Sequence, residues 1–215
     1  IASARVLVEE LGITQRLFEV DVFAARIDLL DGDAAAAERG LRVACEGMRD
    51  LGLGIDAARA GALLARTLLA QDRVGEAEAL SHESERLAGD DLQAAIAWRG
   101  ARAEALARRG ETTEAVALAS KAVEIAAATD ALLDHADARL ALAAALRAAG
   151  RSGDADTEER HATELWEAKG ATLLAERARN GVAHPASAAG EPESRGEATR
   201  PVPRRIRPNR ATAAG

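Results

Sequence analysis

Residues 106–115 read LARRGETTEA and residues 146–155 read LRAAGRSGDA. Each places a Leu, a Gly four positions on, and an Ala five positions beyond the Gly. Residues 68–77, LLAQDRVGEA, keep this frame with Asp72 where the others have Gly; residues 28–37, DLLDGDAAAA, keep the Gly but put Asp28 in the Leu position. The turns centred on Gly32, Asp72, Gly110 and Gly150 are therefore spaced by 40, 38 and 40 residues. Self-similarity at such a period marks a repeat architecture, in which each unit is one supersecondary element that buries its apolar face against its neighbours.

Aligning the turns brings out a constant pattern of small residues. Ala25, Ala65, Ala103 and Ala143 stand seven positions before their turns, and Ala37, Ala77, Ala115 and Ala155 five after. Twelve after come Ala44, Ser84, Ala122 and Ala162. A small residue at a fixed place in every helix lets a neighbouring helix approach closely, as paired antiparallel helices require. Leu68, Leu106 and Leu146 before the turns, and Leu87, Ile125 and Leu165 after them, fill the space between these contacts. The pattern predicts four helical hairpins, with first helices over about 18–30, 56–70, 92–108 and 132–148 and second helices over about 34–50, 75–88, 113–128 and 154–169. N-caps are expected at Asp33, at Thr112 or Thr113, and at Ser152, with Glu76, Glu114 and Asp154 favouring the helix dipole in the first turns. A last helix over 171–180, apolar through Leu173, Leu174 and Ala178, is expected to cap the array.

Composition agrees with an all-α chain. Of 215 residues 48% are hydrophobic but only 2% aromatic, which disfavours β-sandwiches and barrels. A single Cys45 builds no disulfide framework. The net charge of −7 argues against nucleic-acid binding by the whole chain. All five prolines fall in the C-terminal stretch, from Pro185 to Pro208, where apolar periodicity stops. Residues 181–215 therefore read as a disordered Pro/Arg-rich tail. Residues 182–215 carry six Arg against three Glu, about +3, which leaves about −10 on the helical body. At the other end, residues 1–13, IASARVLVEELGI, match residues 41–53, LRVACEGMRDLGL, at a shift of 40, so residues 1–17 read as the remnant of an upstream repeat.

Small residues at three fixed offsets, a Gly-centred turn and an acidic residue before the second Ala resemble the tetratricopeptide repeat. The period is longer than in that family, the usual Trp and Tyr of the first helix are absent, and no Pro follows the second helix. Over residues 63–180, in stretches such as AWRGARAEALARRGE, KAVEIAAATD and LWEAKG, the chain resembles the C-terminal repeat region of large bacterial signalling proteins. In those proteins a class III nucleotidyl cyclase or a DNA-binding regulator domain is joined to an AAA-type ATPase and then to such repeats. The resemblance implies a right-handed superhelix of antiparallel hairpins, a TPR-like α-solenoid. It also implies a cytoplasmic, non-catalytic module for protein–protein interaction or intramolecular regulation in signal transduction. A stand-alone helical-repeat adaptor remains as an alternative, as does the interaction region of a transcriptional regulator whose basic tail touches nucleic acid.

No catalytic chemistry is legible. Lys121 and Lys169 are the only lysines and neither follows a Gly, so no P-loop exists in the chain. His82, His135, His161 and His184 lack ligand spacing, so no metal or other cofactor is expected, although His135 and His161 are placed to approach one another. Cys45 reads as a small buried hydrophobe, and Trp98 and Trp166 as covers over seams between repeats. In tetratricopeptide arrays the first helices line the concave face. Carried over by offset from the turns, that geometry places Arg26, Arg66 and Glu104 in a groove, with Arg59, Arg108, Asp137 and Arg147 nearby. The expected partner of so Arg-rich a groove is an acidic protein or peptide segment, from another chain or from an upstream domain of the same polypeptide, held by bidentate hydrogen bonds. Neither membrane nor nucleic acid is an expected partner of the helical body.

Overall fold

The computed structural model describes residues 1–179, so the expectation of a disordered tail over 181–215 lies outside the described residues. Among them the chain is all-α, with ten helices in the order α1 (Ala2–Glu10), α2 (Thr14–Leu30), α3 (Ala34–Asp50), α4 (Gly54–Ala70), α5 (Val74–Ala88), α6 (Leu92–Arg108), α7 (Thr112–Ala127), α8 (Leu132–Ala148), α9 (Ser152–Lys169) and α10 (Thr172–Arg179). The helix pairs α2–α3, α4–α5, α6–α7 and α8–α9 are the four hairpins of the repeat, and each packs on the next. No described helix is long and apolar enough to cross a membrane.

The four turns close in one way. The backbone N–H of Asp33, Arg73, Glu111 and Arg151 donates to the carbonyl of Asp28, Leu68, Leu106 and Leu146, at 2.8, 2.9, 3.0 and 2.9 Å. This bond ends the first helix and requires a left-handed residue at its centre. Gly32, Gly110 and Gly150 supply it with φ of 84°, 83° and 75°, and Asp72 adopts φ 60° as the sole non-glycine of positive φ among the described residues. Because the turn hands the chain straight into the second helix, α7 and α9 start one residue earlier than their expected caps. Glu111 and Arg151 occupy the N-cap positions without a side-chain hydrogen bond, and Thr112 and Ser152 lie inside the first turn. Asp33 does cap, accepting from the Ala36 N–H at 2.8 Å, and Asp91 caps α6 in the same manner at 2.7 Å from Ala94. The first helix of the first hairpin begins at Thr14 rather than about residue 18.

The core runs along the small-residue frame. All twelve frame positions are buried, as are Leu68, Leu106 and Leu146. Where even a methyl would intrude, glycine takes the place: a Cβ at Gly47 on α3 would lie 2.0 Å from the ring of Phe18 on α2. Cys45 is buried, and burial pushes its thiol up to about 11, so the small-hydrophobe reading holds. Trp98 lies among Ala58, Ala62, Ala88 and Ala94 with the guanidinium groups of Arg99 and Arg102 at 4.1 and 4.5 Å from its ring. Trp166 seals α9 against Ala136, Leu140 and Ala175, where α10 docks.

The two layers of the array pack differently. First helices of the last three hairpins touch one another directly, α4 on α6 and α6 on α8, whereas α2 shows no comparable packing on α4. Second helices show no comparable packing on each other among the described residues, and long side chains span between them, as Arg49 on α3 does to Glu83 on α5 at 2.6 Å. At the end of the array Arg177 on α10 donates to the Leu30 carbonyl at the C-terminus of α2. That carbonyl belongs to the group a helix end leaves without an internal partner, and a cation suits it. The last helix thus reaches back to the first hairpin. At the opposite end α1 packs on α2, and Val6, Leu7 and Leu11 remain exposed.

A left-handed Asp carries a steric cost that Gly avoids. Asp72→Gly should therefore raise stability by about 0.5 kcal/mol, while Gly110→Ala should lower it by about 1 kcal/mol. Urea denaturation of the two variants checks both signs.

Candidate functional site

The first helices enclose one cleft, to which all four hairpins contribute. Arg26 comes from α2, Arg59 and Arg66 from α4, and Asp134 and Asp137 from α8; the lining between them is apolar or small, with Ala62 and Leu63 from α4, Ile96, Ala97 and Gly100 from α6, and Ala138 from α8. Periodicity explains why these side chains meet. Arg59 and Arg66 are seven residues apart, two turns of one helix face, and Asp134 and Asp137 are three apart on another. Helix α6 lies between α4 and α8, and its small residues keep that stretch low, so charges on the two flanking helices reach across it.

Reach is what the ion pairs show. Arg66 Nε lies 3.3 Å from Glu104 Oε1 on α6, and Arg66 Nη1 lies 3.1 Å from Asp137 Oδ2 on α8, so one guanidinium ties three successive hairpins. The Arg66 side chain is only 17% exposed and that of Glu104 5%. Burial pushes the Glu104 carboxyl above the usual carboxylate range, with Arg66 and then Arg108 pulling against it. For Arg66, burial disfavours the charge, but Asp137 and Glu104 outweigh it and hold the guanidinium firmly protonated. Arg59 makes a bidentate pair with Asp91 at the start of α6, at 3.1 and 2.6 Å. Asp134 accepts from the Gln93 amide at 2.9 Å; its carboxyl is raised, first by burial and then by the neighbouring Asp137.

Of the seven groove residues expected from sequence, Arg26, Arg59, Arg66 and Asp137 line the cleft. Glu104 lies beneath it as Arg66's partner. Arg108 reaches Asp72 in the preceding hairpin's turn at 3.4 Å. Arg147 turns to its own hairpin, meeting Asp156 at 2.9 Å and Glu159 at 2.6 Å on α9. Sequence reasoning passed over Asp134 and Asp91. The signal for Asp134 is its position one turn before Asp137; Asp91 gives no such signal, because its pairing with Arg59 depends on how α4 and α6 cross. Arg66, expected as one charge of an open groove, is instead largely buried between two carboxylates.

A second polar cluster lies between α8 and α9. Arg139 Nε donates to His135 Nε2 at 3.1 Å, while its Nη1 lies 2.6 Å from Glu158 and 3.2 Å from His161 Nδ1. The two histidines do come together, with Arg139 between them. Among the described residues no group of three or more His, Cys, Asp or Glu side chains is placed to hold a metal ion. Burial, and next the charge of Arg139, lower the His135 pKa below its ordinary value of 6.5.

Comparison of the sequence with protein-family models and with curated proteins finds no match to either.

Removing a partly buried cation from between two carboxylates strands their charge. Arg66→Met, which keeps the length of the stem, should cost about 3 kcal/mol of unfolding free energy, and Arg26→Met about 0.5 kcal/mol or less; denaturant titrations of the pair check the contrast. A lowered histidine pKa stabilises fully above the unfolded value and is lost as pH falls through the folded one. The thermal midpoint should therefore decline as pH is taken below 6.5, and His135→Gln, which keeps an acceptor but cannot protonate, should decline less over the same range.

Proposed function

We propose that this chain is a non-catalytic helical-repeat module that binds a segment of protein in the cleft of its first helices. It does so within a larger signalling protein of the ATPase-linked kind its repeats resemble. The carrying observation is the convergence of Arg26, Arg59, Arg66, Asp134 and Asp137 from three separate helices on one cleft, over small and apolar side chains. Guanidinium and carboxylate groups on that background form ion pairs and bidentate hydrogen bonds with polar protein segments. Rigid helices hold them in register, which limits the ordering entropy that binding requires. A repeat array regulates its parent in this way by holding another domain's segment and releasing it.

The experiment is selection of random peptides by the immobilised chain, followed by titration of the selected peptides against Ala97→Trp. Ala97 lines the cleft and is only partly buried, so the indole fills the space without replacing a core residue. Selected peptides should lose about tenfold or more in affinity for the variant. Equal binding to both proteins, or no selected peptide at all, would remove the cleft from consideration as a binding site.

A further inference from the structure

The cleft's charges are not equally available. Arg59 is engaged by Asp91, and Arg66 by Glu104 and Asp137. Arg26 and Asp134 make no direct ion pair among the described residues, with each other or with anything else. They stand on opposite walls, Arg26 on the first hairpin and Asp134 on the fourth, with the low stretch of α6 between them. Arg26 is exposed, while Asp134 is partly buried and held by one neutral amide; the charges of Arg26 and Arg59 favour its carboxylate from a distance, but no cation contacts it to replace the lost water. The raised carboxyl of Asp134 is the mark of that shortfall.

This arrangement differs from the one the sequence suggests. A uniformly acidic segment would find a single uncommitted cation and would then meet Asp134, Asp137, Glu104 and Asp91. It would also approach a helical body of net charge about −10. A uniformly basic segment would meet Arg26 with Arg59 and Arg66 behind it. Like-charge contacts of either kind act against the wrong partner. Size narrows the choice as well: the enclosed part of the cleft is about 50 Å³, too little for a helix about 10–12 Å across, so an extended chain would lay its side chains across the open mouth.

Resting on the reading that the cleft binds a protein segment, we propose that it selects an extended segment of mixed charge, which sets a carboxylate against Arg26 and an ammonium or guanidinium against Asp134. The preference is for neighbouring Glu and Arg or Lys residues, not for acidity. The cation relieves the desolvated Asp134 carboxylate, the carboxylate occupies the exposed Arg26, and the internal pairs of Arg59 and Arg66 stay in place.

The test uses three fluorescein-labelled ten-residue peptides with blocked ends and Gly spacers: one alternating Glu and Arg, one with Glu only and one with Arg only. Each is titrated by fluorescence anisotropy onto the full chain at about 0.15 M salt. The alternating peptide should bind about tenfold or more tightly than either of the others. Arg26→Glu and Asp134→Asn should each weaken it by about tenfold. The double variant Arg26→Glu, Asp134→Lys should restore it, since an alternating peptide meets inverted signs by shifting one charge along. Circular dichroism of each variant establishes that it is folded before it is titrated. Tighter binding of the Glu-only peptide, or alternating-peptide binding that ignores both single substitutions, overturns the proposal. In either case peptides selected from the random library and lost in Ala97→Trp would leave the binding cleft standing. If none of the three probes binds, the proposal is also overturned, and an empty selection would carry the cleft down with it.

Discussion

Close approach of helices at alanine is the constraint on which the rest of this structure depends. Helix axes pack at about 8–10 Å according to the side chains between them, and this chain keeps the contact points small at the same three offsets in every hairpin. Ala37, Ala77, Ala115 and Ala155 are fully buried, as are Ala44, Ala122 and Ala162. An alanine methyl contributes little apolar area of its own, on the order of 0.8 kcal/mol. Its larger effect is to let leucines on either side, such as Leu64, Leu68 and Leu69, fill the remaining volume completely. The Leu before the second, third and fourth turns joins this packing to the backbone. Its side chain is in the core while its carbonyl accepts the bond that closes the turn.

Arginine carries out the part of the work that aromatic residues perform in less alanine-rich cores. With 2% aromatic residues the chain has few bulky side chains to lay across helix junctions. Arg66 spans α4, α6 and α8, and Arg102 joins the Trp98 ring to Ser81 and Glu85 on α5. Around Glu38, burial alone would raise the carboxyl, but Gln71, Arg42 and Arg73 outweigh it and bring it down to about 2. Such pairs contribute less than apolar packing of equal volume, yet removing one partner leaves a stranded charge. They therefore fix register between hairpins more than they add stability, and a long guanidinium with its aliphatic stem is suited to both roles.

The same side chains explain why the cleft is close to neutral. Helices that crowd at alanine bring their polar faces together, and charges on those faces satisfy one another before any partner arrives. Three arginines that look like a cationic groove when read one by one become, in three dimensions, two internally paired guanidinium groups and one exposed cation. The residual charge is then decided by the groups the packing leaves over, which is how Arg26 and Asp134 come to face each other across α6.

The sequence by itself determined the elements and their phase. Four turns spaced by 40, 38 and 40 residues, a Leu before three of them and small residues at fixed offsets suffice to place hairpins, core and even the burial of Cys45. These are local or periodic properties, written in the chain as spacing, and helix formation reads spacing directly. Four of the seven expected groove residues, Arg26, Arg59, Arg66 and Asp137, line the cleft at the offsets that the tetratricopeptide resemblance implied. Only the tertiary structure decided what those residues touch. Arg66 meets Asp137 across 71 positions of sequence, Arg147 turns away to α9, and Arg177 reaches the end of α2. Each of these depends on the angle and height at which whole helices stack, a quantity summed over many contacts, and no single spacing in the sequence records it.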